Sequence, residues 1–292
     1  MALFKKKTNA GTGLIPSYFV SCACLLLLGF LFLLCFNQPE YAMSGGESDS
    51  LKTTIAFTAL LVVSVFLDIG LYYAIPEGNK AKGFVLLGSS IFVLIALIVG
   101  FASYYSVYNE TVLQIRLSRL FAAVLIVVLW LLGVLDKFLM FFKKPKNLAE
   151  IQYFIDLISF CMAMVISYCF SVCVNLSMTL AMGHYVFVLL LIALFGQVAS
   201  LVFFVFCLSS NALSLDQKLK ISLCLAVSSL VLGFLPLVGS LVAYEINRSI
   251  SFRSFYWMLS GSIFAVVCSA IAVLFCYFFT HPGRLPELAD EE

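Results

Sequence analysis

The chain has 292 residues, 63% of them hydrophobic and only 11% charged, with a mean hydropathy of +1.10 and a formal net charge of +2. A soluble domain keeps about a quarter of its residues charged, so too few polar groups are present to cover a water-facing surface of this size, and the solvent must be mostly lipid. The basic residues sit at loop ends and form no stripe, so no nucleic-acid partner is expected.

Residues 1–13 read as a basic tail carrying Lys5, Lys6 and Lys7. The apolar run that follows, 14–36, is 23 residues long. That exceeds the roughly 7–15 residues of a signal-peptide core, so it reads as a retained helix. A bilayer is crossed by about 20 apolar residues in a helix. Eight segments qualify: 14–36, 55–75, 83–105, 119–142, 151–174, 184–208, 219–244 and 254–279. The least marked boundary follows Met178, where nothing charged separates the fifth and sixth. The chain closes on a short acidic tail, 288–292. The fold class expected is therefore all-α, a polytopic membrane protein with eight transmembrane helices.

Lys and Arg set orientation. With eight spans both termini share a side, which carries Lys5, Lys6, Lys7, Lys80, Lys82, Lys143, Lys144, Lys146, Lys218, Lys220 and Arg284. The other side carries Lys52, Arg116, Arg119, Arg248 and Arg253. The excess places both termini in the cytoplasm, in a plasma membrane or endomembrane, or in an inner membrane if the source is bacterial.

The phrase FFKKPKNLAE at 141–150 is echoed by FFTHPGRLPE at 278–287. An offset of 137 also pairs Arg116 with Arg253, and an offset of 138 pairs Cys35 with Cys173, Asn37 with Asn175, Phe66 with Phe204, Lys80 with Lys218 and Ser90 with Ser228. The matches fall at equivalent helix ends and loops. They imply two tandem four-helix units, 14–150 and 151–287, inserted in the same sense, a parallel repeat about an axis normal to the membrane.

All ten cysteines lie within the apolar runs, as small buried apolar residues rather than as a disulfide framework. Cys22 and Cys24, like Cys169 and Cys173, lack the His or carboxylate neighbours of a zinc site; no metal or cofactor is expected. Four charged residues need a reason for lying inside apolar runs. Asp68 falls in the second span, Asp136 and Lys137 in the fourth, and Asp156 early in the fifth. At 1.5 Å per residue the three acids are all about 7–11 Å from the cytoplasmic ends. They form a candidate polar cluster, with Lys137 paired to an Asp, lining a cavity or holding a lipid headgroup. Alternatively they hydrogen-bond between helices and hold the first bundle together, with Lys137 able to snorkel to the headgroups. At the repeat offsets Asp68 answers to Phe206, Asp136 to Val273 and Asp156 to Tyr18, so none of the three acids is repeated. Gln152, Asn175 and Gln197 read as structural hydrogen bonders, and Pro236 as a kink in the seventh span. Asn109 and Asn247 head N-x-[ST] sequons at matched outer positions and are possible glycosylation sites.

No H-E-x-x-H, G-x-S-x-G, P-loop or G-x-G-x-x-G is present, and neither His184 nor His281 is tied by spacing to a nucleophile. No catalytic residue is assigned and no enzyme is expected. Two tandem four-helix units, an acid in the inner half of the second helix (Asp68), another near the end of the fourth (Asp136) and basic residues leading into the fourth (Arg116, Arg119) resemble MARVEL-type tetraspan proteins in tandem, the myeloid-associated differentiation marker group. The chain departs from that pattern in its Lys5–Lys7 lead, in a second half without acids at the positions matching Asp68 and Asp136, and in outer loops without cysteine. The resemblance implies a non-enzymatic organiser of membrane domains or trafficking, with lipids, other membrane proteins or further copies of itself as partners. The alternative is a small-solute or ion transporter using Asp68, Asp136 and Asp156.

Overall fold

The computed structural model describes residues 17–36, 47–76, 79, 81–107, 113–182, 184–246 and 252–280. Both terminal tails, the sequons at Asn109 and Asn247 and part of the loop after the first helix lie outside the described residues. The described chain is helical, in the order α1 (Ser17–Phe36), α2 (Glu47–Ala74), α3 (Ala81–Val107), α4 (Leu113–Phe138), a π-helical turn (Leu139–Lys143), α5 (Leu148–Met182), α6 (His184–Ser209), α7 (Leu215–Ile246) and α8 (Phe252–Thr280). Among the described residues, six helices are long and apolar enough to cross a membrane, from α2 to α7; shorter apolar stretches occur at Tyr18–Leu28 and Leu259–Leu274. This is the helical architecture of an integral, multi-pass membrane protein.

Local chemistry explains the helix ends. α2 stops ahead of Pro76, whose ring cannot continue a helix. Asn79 then caps α3, its Oδ1 accepting the Ala81 N–H at 2.9 Å. α7 opens with a capping box: Gln217 Oε1 accepts the Ser214 N–H at 2.9 Å, and Ser214 Oγ accepts the Gln217 N–H at 3.4 Å. Lys218 donates to the Leu208 carbonyl at 2.9 Å, satisfying a terminal acceptor of α6. α7 continues through Pro236.

The fourth helix ends in a wound-out turn. The Lys144 N–H donates to Leu139 O at 2.7 Å, with Lys144 at φ 39° and ψ 59°, ahead of Pro145. This is a left-handed cap, normally a glycine position. A side chain there costs about 1–2 kcal/mol of steric strain, partly offset in glycine by a freer unfolded chain. Lys144→Gly is therefore expected to stabilise the protein by about 0.5–1 kcal/mol, read as a raised unfolding midpoint in detergent. The turn folds back on α3, where Gly83 leaves the room: a Cβ there would lie 2.8 Å from Phe141 Cβ and 3.0 Å from the Phe142 ring.

The helices pack as two rings. α1–α2–α3–α4 closes on itself, as does α5–α6–α7–α8, and the rings join where α5 meets α1 and α4. α5 is the central pillar: 67% of its apolar stretch is buried, against 28–44% for the other five long helices. One apolar core runs across both rings, from Leu28, Leu61, Val93 and Leu129 to Met164, Ile166, Leu190 and Cys268. A second, around Tyr153, Phe204 and Cys276, belongs to the second ring. At the junction Ser21 Oγ and Ser159 Oγ hydrogen-bond at 3.3 Å. These two positions are 138 apart, the offset of the sequence repeat.

The surface is inverted relative to a soluble protein. Phe66, Phe84, Phe195, Phe206 and Tyr73 are each more than two-thirds exposed, while Asp68, Asp136, Lys137 and Gln197 are at most 2% exposed. Apolar side chains outward and polar ones inward are the arrangement that lipid selects.

Candidate functional site

The polar residues cluster where α1 and α3 begin and α2 and α4 end. Asp68 is six residues from the end of α2, Leu86 five from the start of α3, and Lys137 six from the end of the π turn. At 1.5 Å per residue they share a level about 8–9 Å inside the bundle.

Lys137 is the centre. Its Nζ donates to Asp68 Oδ2 at 2.7 Å, to Ser90 Oγ at 2.8 Å and to the Leu86 carbonyl at 2.9 Å. An ammonium has three N–H bonds, and all three are matched. Asp68 in turn accepts from Ser89 Oγ and, at 3.7 Å, from the Cys22 thiol. Trp130 Nε1 donates to Ser90 O at 3.0 Å, and the Tyr18 ring lies 5.1 Å from Nζ. The cluster thus takes a residue from each helix of the first ring. A buried ion pair offsets its desolvation only when geometry is good and the remaining polar atoms are also satisfied, and this pair meets that demand.

Asp136, next in sequence to Lys137, points elsewhere. Its Oδ2 accepts the Tyr18 N–H at 2.9 Å, and its Oδ1 accepts from Gln152 Nε2 at 2.9 Å. Tyr18 is in the first turn of α1, where N–H groups have no partner within the helix. Asp136 caps that turn from a neighbouring helix, and it favours the positive end of the α1 dipole. Through Gln152 it also ties α5 to the first ring. Asp156 is buried on α5, one turn beyond Gln152. Adjacent residues on α4 therefore serve different contacts: Lys137 closes the first ring, and Asp136 joins it to the second.

A cavity of about 10 Å³ lies beside the pair, lined by Tyr18, Cys22, Asp68, Ser90, Trp130 and Lys137 among others. That is room for about one water molecule. Besides Asp156, the second ring has neutral polar nodes. Gln197 Nε2 donates to Ser229 Oγ at 2.8 Å, and Tyr153 and Ser222 share a hydrogen bond at 2.6 Å. Among the described residues no group of three or more His, Cys, Asp or Glu could hold a metal ion.

The structure thus brings Asp68 and Lys137 into contact and separates Asp136 from them. Sequence reading missed Ser89, the Leu86 carbonyl, Trp130 and the role of Tyr18. One signal was available: Lys82, Leu86, Ser89, Ser90 and Val93 recur at helical spacing, and all five are buried along one face of α3. Lys137 does not snorkel. It turns inward because α2 and α3 supply a carboxylate, a hydroxyl and a carbonyl at its own level, so its donors are satisfied without reaching the headgroups. No family model, curated protein or solved structure matches this chain.

Proposed function

We propose that the chain is a non-enzymatic membrane organiser, built as two tandem four-helix units with eight spans and both termini in the cytoplasm. It scaffolds lipids or partner membrane proteins through its outer faces. The observation that carries this is the closed state of the Asp68–Lys137 pair and of Asp136. Lys137 has its three donors matched, Asp68 is paired, Asp136 is spent on a helix start and on Gln152, and the adjoining cavity has room for about one water molecule. A transport pathway needs acids that a solute can reach and exchange with, whereas these are committed to neighbouring helices.

The tandem reading draws support from Ser21 and Ser159. On a twofold axis a residue meets its own counterpart, and these two positions are counterparts at the repeat offset and in contact. The tetraspan resemblance remains part of the same proposal, consistent with two rings of four.

The test is flux. Wild-type protein, Asp68→Asn and Asp136→Asn are reconstituted in liposomes and assayed for proton, cation and small-solute movement. No flux above empty liposomes is expected from any of the three. Transport by the wild type that is lost in Asp68→Asn would replace the organiser with the transporter reading.

A further inference from the structure

Lys82 stands out once Lys137 has been accounted for. It is the second residue of α3 and lies one turn nearer the helix end than Leu86, whose carbonyl serves Lys137. Its side chain is only 4% exposed, yet its Nζ faces the Tyr72 ring, 4.3 Å from the centroid. No carboxylate, hydroxyl or carbonyl among the described residues accepts its three donors. The neighbouring acids are engaged elsewhere, Asp68 by Lys137 and Asp136 by Tyr18 and Gln152; Glu150 opens α5, and Glu77 lies outside the described residues.

Further positive charge lies close by. The first turn of α3 contains no acid, so Lys82 sits against the positive pole of its own helix, an unfavourable place for a cation unless an anion joins it. The π turn packs on the same corner, through Phe142 against Phe84 at 4.9 Å between ring centroids. It leads into exposed Lys143, Lys144 and Lys146. Around these cations the exposed side chains are apolar: Phe84, Tyr73 and Phe142. A largely buried lysine whose ammonium keeps access to the outside and has no acceptor among the described residues, a helix start and a fringe of lysines suit a compact polyvalent oxyanion. The apolar collar at the end of the spans calls for one attached to acyl chains.

We propose that this corner of the first ring binds the phosphate of an anionic phospholipid, with Lys82 as the buried contact and Lys143 and Lys146 as the outer ones. Tyr72 covers one side of the ammonium and the headgroup oxygens take the other. This rests on the reading above only in that the first ring must lie in a bilayer, and it holds whether the protein is an organiser or a transporter.

The test uses the purified full-length protein in detergent micelles, titrated with phosphatidic acid, with phosphatidylcholine and with inorganic phosphate, binding being followed by the unfolding midpoint. Phosphatidic acid is expected to raise the midpoint more than phosphatidylcholine. Lys82→Met should weaken that response about tenfold, as for a lost charge-assisted hydrogen bond, and Lys82→Arg should retain it. Because a variant of a buried residue can fail to fold, Lys143→Gln/Lys146→Gln is measured too. Both positions are exposed, and the pair should also weaken the response. Lys220→Met, at an exposed site on α7, should respond like wild type. Equal responses to the two lipids, an unchanged response in both Lys82→Met and the double variant, or an equal effect of inorganic phosphate would each overturn the proposal. Flotation of the wild type with phosphatidylcholine vesicles after alkaline washing tests the bilayer reading separately, so failure of one is distinguishable from failure of the other.

Discussion

Lys137→Met is expected to destabilise the first ring by about 3–5 kcal/mol, the usual consequence of removing one partner from a buried ion pair. The methionine fills much of the lysine's volume, so little of the loss comes from packing. It comes from Asp68, left at 0% exposure with its counter-ion gone, and from the Ser90 hydroxyl and Leu86 carbonyl, which lose a donor. Asp68→Leu should cost a similar amount by stranding the ammonium. The double variant Asp68→Leu/Lys137→Met removes both charges, and replacing a buried pair by apolar groups is often neutral or stabilising. It should recover most of either single loss. Unfolding of the four proteins in detergent with increasing SDS measures the coupling directly. Additive single and double effects would mean that the pair is not a unit.

Asp136→Ala carries the second largest expected effect, about 2–4 kcal/mol, because two buried donors are orphaned together. Tyr18 N–H loses the acceptor at the start of α1, and Gln152 loses its link from α5. The failure should differ in kind from that of Lys137→Met. Asp136 holds α1, α4 and α5 together, so contact between the two rings should loosen before either unfolds. Limited proteolysis in the Lys144–Asn147 linker reports this, and Asp136→Ala should be cut faster than wild type. Asp136→Asn keeps one good acceptor and should lose less. Cleavage of Asp136→Ala at the wild-type rate would refute a joining role.

Much of the fold was legible in the residues. Runs of about 20 apolar residues set the helices, because a backbone in lipid must satisfy its hydrogen bonds within the segment. Pro76 and Pro145 mark their ends for the same local reason. The fifth helix runs on to Met182, past the weak boundary after Met178, because neither a charge nor a proline interrupts it. The candidate cluster was legible as a set of charges in the wrong solvent, Asp68, Asp136, Lys137 and Asp156. Their partners were not, since Ser89, Ser90 and Trp130 look like ordinary members of apolar helices until three helix axes converge on them.

What the sequence by itself determined is therefore the solvent, the helical class and which residues pay a desolvation cost for being buried. Those follow from composition and spacing along one chain, where each residue's preference acts locally. Which acid takes Lys137 was decided only by tertiary packing. Asp136 is adjacent to Lys137, but neighbouring residues on a helix point about 100° apart, so they cannot share one face. Asp68, 69 positions away, reaches the ammonium because α2 and α4 are brought to the same ring and end at the same level. The unmatched donors of Lys82 are likewise visible only once α2, α3 and the π turn are in place.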